Sequence, residues 1–201
     1  MIVDQAKYVD GVRQPCGDLS DELALLRTHG AGPDFLWIGL NDPTSAEFDL
    51  VRSELDLHPL AVEDVLKGKQ RAKIERYDDT LFVVLKTLRY EEETSDIETG
   101  EIMAFVGDRF LLTIRRGDAA PLHGVRLTLE KDPSALAAGP QVALYAIIDR
   151  IVDSYLVIDD ELGRDLEGIE EGVFKDADTI ASQTIYNLKR EVLEFKRAAI
   201  P

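Results

Sequence analysis

Carboxylate side chains give this chain its clearest capacity for chemistry. Between residues 149 and 178 the sequence has eleven acidic and three basic residues, an excess of eight out of the net −16 charge that the 201-residue chain carries. Carboxylates crowded along one segment repel each other unless cations lie between them. Mg²⁺ suits such a segment, because it prefers oxygen ligands, keeps most of its waters and needs only one or two carboxylates. The pattern favours divalent-cation binding, and an acidic face that is only solvated is the alternative.

Residues that serve other kinds of site are few and scattered. Cys16 is the single cysteine, which excludes an internal disulfide and a multi-cysteine zinc site. His29, His58 and His123 lie too far apart for a zinc cluster. His58 stands directly before Pro59, where a helix-capping role is expected. The sequence has no nucleophile elbow, phosphate-cradling glycine loop or zinc-protease helix. We therefore expect a chain that is not an enzyme.

The composition and charge of the chain exclude some classes of partner and indicate the compartment in which it works. A net charge of −16 disfavours nucleic acid and anionic membrane surfaces. No apolar run approaches the roughly 18 residues that a spanning helix needs, and no signal peptide is recognisable. The sequence therefore predicts a soluble protein of a reducing compartment. Residues 198–201 fall inside or at the end of a predicted helix, so we expect the chain to be the soluble piece of a larger protein.

The elements that must hold the carboxylates follow from hydrophobic patterning. Residues 34–40 form a run of large apolar side chains typical of a buried strand. Thr44 and Glu47 have the spacing of a capping box, and the helix that follows has its apolar residues on one face. A strand, a turn and a helix in this order predict an α/β layer.

The central stretch predicts further elements of the same layer. A helix begins at His58-Pro59, since proline at a first-turn position loses no hydrogen bond. Strands are expected within residues 1–12 (a possible edge strand) and at residues 73–77, 80–88, 101–106 and 109–114. Residues 91–100 are polar and rich in carboxylates, which predicts a loop, and residues 133–140 have the small residues of a linker.

The acidic segment has a sustained helical pattern. From Gln141 onward the apolar residues, Leu144 to Val173, recur at steps of almost always three or four, which predicts a helix about 33 residues and about 50 Å long. Such a helix is longer than a small domain is wide, so we expect it to project from the sheet or to lie along a partner. A second helix, capped by Asp178, folds back antiparallel after a turn near residues 174–178.

Together these elements predict an α/β fold. A mixed sheet flanked by helices, an α/β/α sandwich, is followed by a long antiparallel helical hairpin arm. We expect an α/β domain at residues 1–140 and an acidic helical arm at residues 141–201.

Short motifs in the central stretch carry a family resemblance. The motifs are His58-Pro59-Leu60, Glu63-Asp64, Gln70-Arg71-Ala72-Lys73, Tyr77-Asp78-Asp79 and Phe82-Val83-Val84-Leu85-Lys86. In this order and at these separations they resemble the cytoplasmic domain of the CorA family of magnesium channels, from about Phe35 to the C-terminus. Ala72 stands where the family usually has proline. The resemblance implies a domain at the cytoplasmic face of the plasma (inner) membrane, with the pore outside this chain.

The resemblance also implies candidate ligands for a regulatory ion. In CorA-like channels the cytoplasmic domains form a homopentameric funnel, and divalent ions between neighbouring subunits hold the channel shut. One regulatory carboxylate follows a strand that ends in tyrosine. Here Tyr90 is followed by Glu91 and Glu92, where the family often has aspartate. Asp176 and Asp178, near the predicted helical turn, are further candidate ligands. The implied ion is Mg²⁺, with Co²⁺ or Ni²⁺ as alternatives.

The sequence leaves three alternatives to a magnesium sensor open. A ZntB-like zinc transporter would have the same fold and a different ion. A soluble acidic adaptor would bind a basic protein partner through the helical arm. An enzyme with a carboxylate-bound metal is the third, although no recognisable constellation of residues points to one.

Overall fold

The computed structural model describes residues 2–28, 32–119, 122, 124–175 and 182–200. Its strands are β1 (Ile2–Val9), β2 (Val12–Gln14), β3 (Phe35–Asn41), β4 (Lys73–Tyr77), β5 (Thr80–Glu91), β6 (Asp96–Val106) and β7 (Phe110–Arg116). They form one seven-stranded sheet in the order β2-β1-β3-β7-β6-β5-β4. The pair β3–β7 is parallel and the other neighbours are antiparallel, so the sheet is mixed, as predicted.

Helices cover both faces of this sheet. They are α1 (Leu19–Thr28), α2 (Ser45–Glu54), α3 (Pro59–Lys67), α4 (Val125–Leu129), α5 (Pro133–Leu136), α6 (Pro140–Lys175) and α7 (Ser182–Ala199). One core lies between the sheet and α1, α2 and α3, and a second lies between the sheet and α4, α5 and α6. Strand β3 contributes Leu36 and Ile38 to the first core and Phe35 and Trp37 to the second, because side chains alternate along a strand. The predicted α/β/α sandwich is confirmed.

The first strand has a different place in the sheet from the one predicted. Strand β1 lies between β2 and β3 and is not an edge strand. Asp10 and Gly11 have φ values of 50° and 76°, which suits the tight turn of a two-residue hairpin. Because the chain reverses there, β2 pairs with β1 and takes the edge position.

The predicted helix starts at Thr44 and His58-Pro59 are confirmed by their caps, and the predicted cap Asp178 lies outside the described residues. Thr44 Oγ1 accepts a hydrogen bond from the Glu47 N–H at 3.3 Å, and the Glu47 carboxylate accepts one from the Thr44 N–H at 2.9 Å. At the start of α3, His58 Nδ1 accepts from the Leu60 N–H at 3.3 Å. The His58 ring also stacks on Tyr77, with 4.5 Å between ring centroids. His58 therefore caps and packs, as its position before proline indicated.

The segment predicted as a polar loop is instead the end of a long hairpin. Strand β5 continues to Glu91 and β6 begins at Asp96, so residues 91–100 are largely strand. Residues outside this segment explain why it forms strands. Ile97 is buried in one cluster with Leu88 of β5 and with Ile158 and Leu162 of α6. The helical arm therefore buries the hairpin end, whose own sequence has few apolar residues.

The linker predicted at residues 133–140 is also largely structured. It contains α5, whose Leu136 is buried in the second core, and α6 begins at Pro140. The expected division of the chain at residue 140 stays a prediction.

Helix α6 lies on its own sheet for much of its length. Its first half packs on the sheet through Ala143, Leu144, Ile147 and Ile151. Further along, Leu166 and Val173 are 49% and 40% exposed. The helix has 36 residues, which corresponds to about 54 Å. The predicted length is therefore confirmed, and the helix packs on its own sheet on one side while apolar residues stay exposed on the other.

Helix α7 returns along α6 and docks on the β5–β6 hairpin. Phe195 contacts Tyr155 of α6 edge-on, with 6.0 Å between ring centroids. Glu191 is only 3% exposed, and its Oε2 accepts a hydrogen bond from the Ile97 N–H at 2.7 Å. Arg190 reaches Asp96 at 2.9 Å. The predicted antiparallel pairing of the helices is confirmed, and the turn predicted near residues 174–178 falls mostly outside the described residues.

Replacing Glu191 should loosen the docking of α7. In Glu191→Ala the buried Ile97 N–H loses its acceptor, which costs about 1–3 kcal/mol. Amide hydrogen exchange at Ile97 and in α7 should therefore become about tenfold faster or more, while exchange in β3 stays unchanged. Glu170→Ala on the exposed surface of α6 is the matched control. Unchanged exchange in Glu191→Ala would show that the carboxylate does not hold the helix.

Candidate divalent-cation site

The predicted ligands Glu91 and Glu92 lie at the far end of the β5–β6 hairpin. Glu91 is the last residue of β5 and pairs across the hairpin with Asp96. Its Oε1 lies 2.7 Å from Nε of Arg89, whose Nη2 lies 2.5 Å from Glu98 Oε2. Because Arg89 offsets the charge of Glu91, this carboxylate is less available to a cation than Glu92.

Glu92 borders an acidic cleft between the hairpin end and α6. The cleft has a volume of about 310 Å³, and its other charged lining residues are Asp153, Glu161 and Arg150 of α6 and Arg89 of β5. Glu92 is exposed, whereas the Glu161 carboxylate also pairs with Arg164. The three carboxylates of the lining are hard oxygen donors, which are the donors that Mg²⁺ prefers. The composition of the cleft fits a hydrated Mg²⁺ better than Zn²⁺, which favours histidine and cysteine ligands.

Two tyrosines hold the hairpin and α6 at this separation. The Tyr90 hydroxyl donates a hydrogen bond to the Asp165 carboxylate, and the Tyr155 hydroxyl donates one to the Lys86 carbonyl. Burial and the bond to Asp165 raise the pKa of Tyr90. Burial raises the pKa of Tyr155 to about 12. Both hydroxyls therefore stay protonated at neutral pH and act as donors, which fixes the position of the cleft walls.

The acidic cleft is an incomplete metal site by itself. Within the described ranges, no group of three or more His, Cys, Asp or Glu side chains is arranged to hold a metal ion. The other two predicted ligands, Asp176 and Asp178, lie outside the described residues. A cation in the cleft would therefore rely on water and on ligands from elsewhere.

Asp153 and Glu161 were not singled out by the sequence analysis, which counted them only as part of an acidic segment. Their eight-residue separation on a predicted helix places them within one broad face, and that signal was available. The nearness of Asp153 and Glu161 to Glu92 could not be predicted from the sequence, because it depends on how α6 lies on the sheet.

Comparison with known proteins places these features in a family. The model of the family described as "CorA-like Mg2+ transporter protein" matches residues 32–201. The "Putative metal ion transporter YfjQ" of Bacillus subtilis (strain 168) is 31% identical over 166 residues, which cover 82% of this chain and 50% of that protein. The "Cobalt/magnesium transport protein CorA" of Thermotoga maritima is 25% identical over 146 residues, which cover 72% of this chain and 42% of that protein. The chain thus spans about half, or less, of the length of these relatives.

Solved structures share the fold. The full-length CmaX protein has a TM-score of 0.77 at 16% identity and covers 100% of this chain and 60% of its own. The soluble domain of CorA from Methanocaldococcus jannaschii has a TM-score of 0.71 at 22% identity and covers 100% of this chain and 76% of its own. The ZntB cytoplasmic domain from Vibrio parahaemolyticus has a TM-score of 0.59 at 16% identity, and the match covers 81% of this chain and 64% of the ZntB chain.

These comparisons test the sequence-based resemblance directly. CorA-family proteins are ion transporters and not enzymes, which agrees with the expectation of a non-catalytic chain. In the described part of the chain, no helix combines the length and the apolar character needed to cross a membrane. Since the family model matches most of the sequence, the resemblance is confirmed, and this chain belongs to the CorA-like Mg²⁺ transporter family.

Proposed function

We propose that the chain is the cytoplasmic, divalent-cation-sensing domain of a longer CorA-type magnesium transporter. The observation that carries this proposal is the family match over residues 32–201 in a chain that spans only about half of its transporter relatives. The likeness in fold to a CorA soluble domain supports it. The domain would lie at the cytoplasmic face of the plasma (inner) membrane and would sense the ion without conducting it.

The sensing site in this proposal is the acidic cleft at the hairpin end. Glu92 and Asp153 supply exposed carboxylates and Glu161 adds negative charge beside them, while Glu91 lies next to the cleft with its charge offset by Arg89. A hydrated Mg²⁺ needs only one or two direct carboxylate ligands. Because one chain offers an incomplete set, the remaining ligands come from a neighbouring copy, and Asp176 and Asp178 are candidates for that contribution.

Electrostatic repulsion gives the site its regulatory effect. When Mg²⁺ is abundant, ions between subunits offset the repulsion of facing carboxylates and hold the closed arrangement. When Mg²⁺ is scarce, the repulsion returns and the subunits separate. A shift from 1:99 to 99:1 between two states requires about 5.5 kcal/mol of differential affinity. Several interfacial sites of about 1–2 kcal/mol each would supply that amount.

Exposed apolar side chains on α6 support association between copies. Tyr145, Val152 and Leu156 are 68%, 48% and 63% exposed. Their spacing of seven and four residues places them on one side of the helix. Such a row is suited to an interface, and in this proposal it contributes to a homopentamer.

Zinc transport is the second candidate, because the fold is also that of a ZntB cytoplasmic domain. The carboxylate lining of the cleft favours Mg²⁺ over Zn²⁺. Co²⁺ is the nearer alternative ion, since a relative is named for cobalt and magnesium transport, and Ni²⁺ would accept the same donors.

Neutralising the two hairpin carboxylates should weaken inhibition by magnesium. In the complete transporter, Glu91→Gln/Glu92→Gln should raise the Mg²⁺ concentration for half-maximal inhibition of transport by about fivefold or more. Transport at low Mg²⁺ should persist, because the pore is untouched. The measurement is ion uptake into proteoliposomes across a series of internal Mg²⁺ concentrations.

Glu54→Gln, an exposed glutamate at the end of α2, is the control for this experiment. Its inhibition curve should match that of the unmodified transporter. If the double variant also leaves the inhibition curve unchanged, the hairpin carboxylates are not the sensing ligands.

A further inference from the structure

A second cleft, on the α7 side of the β5–β6 hairpin, has the opposite charge. Its volume is about 520 Å³, and it lies between the α3–β4 loop, the three strands β5, β6 and β7, and the end of α7. Its charged lining residues are Lys67, Lys69, Lys86, Arg116 and Arg197, with Glu101 and Glu194. Five cations and two carboxylates give this cleft an excess of three positive charges in a chain whose net charge is −16. We call it the basic cleft.

The two carboxylates of the basic cleft already have partners. Glu101 is 5% exposed, and it accepts hydrogen bonds from the Lys69 N–H at 2.9 Å and from Lys86 Nζ at 3.0 Å. Glu194 pairs with Arg197 at 2.8 Å. These carboxylates therefore orient the cations around them and leave a net positive charge in the cleft.

Lys69 and Arg116 have no carboxylate partner among the residues that the structure describes. One guanidinium nitrogen of Arg116 donates to the Val65 carbonyl at 3.0 Å. Its Nε is buried and has no hydrogen-bond partner within the described ranges. A buried donor without an acceptor costs free energy, so a ligand that brings an acceptor to Arg116 would satisfy a group that the described residues leave unpaired.

A second buried side-chain atom without a hydrogen-bond partner among the described residues lies on β5, next to Lys86 of the basic cleft. Thr87 Oγ1 is the other such side-chain atom found among the described residues. Thr87 is paired across the sheet with Gly100, which lines the basic cleft. A Cβ at Gly100 would lie 2.6 Å from Thr87 Oγ1 and 2.9 Å from the Arg116 carbonyl oxygen. A side chain at Gly100 would therefore clash with Thr87 and with the backbone of β7, so only glycine fits at this place beside the basic cleft.

We propose that the basic cleft binds a small anion that carries phosphate groups. Guanidinium and ammonium groups recognise phosphate oxygens through charge-assisted hydrogen bonds. The volume lies within the range of small-molecule sites. Lys67 also pairs with Glu63 of α3, and Lys69 and Arg116, the two lining cations without a carboxylate partner among the described residues, suit the two phosphate groups of a pyrophosphate better than a single phosphate.

The position of the basic cleft gives such a ligand a structural effect. Lys86 and Arg116 belong to the sheet, whereas Arg197 belongs to α7. An anion bound between them links α7 to the sheet. The site is independent of the cation-sensing proposal, because it shares no residue with the acidic cleft.

Calorimetric titration of the chain with sodium pyrophosphate, ATP, inorganic phosphate and sulfate, at equal low ionic strength and without Mg²⁺, tests the proposal. We expect saturable binding of one pyrophosphate or ATP per chain, at least tenfold tighter than phosphate or sulfate. Equal affinity for pyrophosphate and ATP would show that the phosphate groups are the part recognised. Tighter binding of ATP would show that the ligand is a nucleotide. Both results support the site.

Variants locate the binding. Arg116→Gln should weaken pyrophosphate binding at least tenfold. Lys69→Gln, an exposed side chain whose loss leaves the fold intact, should weaken it at least threefold. Arg52→Gln on α2 and Lys131→Gln after α4 are the matched controls and should bind as the unmodified chain does.

Three results would overturn the proposal. One is the absence of pyrophosphate and ATP binding. Another is binding that is equal for all four anions, or that Arg116→Gln and Lys69→Gln leave unchanged, because a diffuse charge effect would then explain it. The last is a result in which no anion binds and sedimentation shows that Arg116→Gln self-associates differently from the unmodified chain. The basic cleft would then bind carboxylates of a second copy of the chain.

Discussion

Burial of apolar side chains between the end of the β5–β6 hairpin and the helical arm is the interaction on which the rest of the structure depends. Leu88 and Ile97 of the hairpin pack against Ile158, Leu162 and Ala198 of the arm. A two-stranded hairpin is marginally stable in water by itself. Each aliphatic side chain that becomes fully buried contributes about 1.5–3 kcal/mol, so this small cluster orders a hairpin end whose own sequence is mostly polar.

Both clefts exist because of this contact. The acidic cleft lies where α6 meets the hairpin, and the basic cleft lies where α7 meets it. A cation in the first and an anion in the second would each bind better when the arm is docked, so both ligands would favour the docked arrangement. Two ligands that favour one arrangement strengthen each other's binding, which is how a metabolic anion would change the response to a divalent cation.

Local chemistry made much of the fold predictable. The capping box at Thr44 and the proline at position 59 each depend on side chains and backbone groups within a few residues, and each was predicted correctly. The strand content of residues 91–100 was missed, because Ile97 is buried by residues more than 60 positions away. No pattern within the segment contains that information.

The candidate site was predictable only in part, for the same reason. The resemblance identified Glu91 and Glu92, and the structure locates them at the end of β5. The neutralisation of Glu91 by Arg89 and the nearness of Glu92 to Asp153 follow from the hairpin register and the path of α6. The basic cleft was not predicted from the sequence, since its cations come from four separate segments of a strongly acidic chain.

Paramagnetic broadening by Mn²⁺ would locate the cation directly. In ¹H–¹⁵N spectra of this chain, substoichiometric Mn²⁺ should first broaden the amide signals of residues 91–93 and of α6 between Asp153 and Glu161. Excess Mg²⁺ should reverse the broadening, and Glu91→Gln/Glu92→Gln should abolish it. Broadening that begins elsewhere on the acidic arm, or that spreads evenly over all exposed carboxylates, would contradict a cation site at the hairpin end.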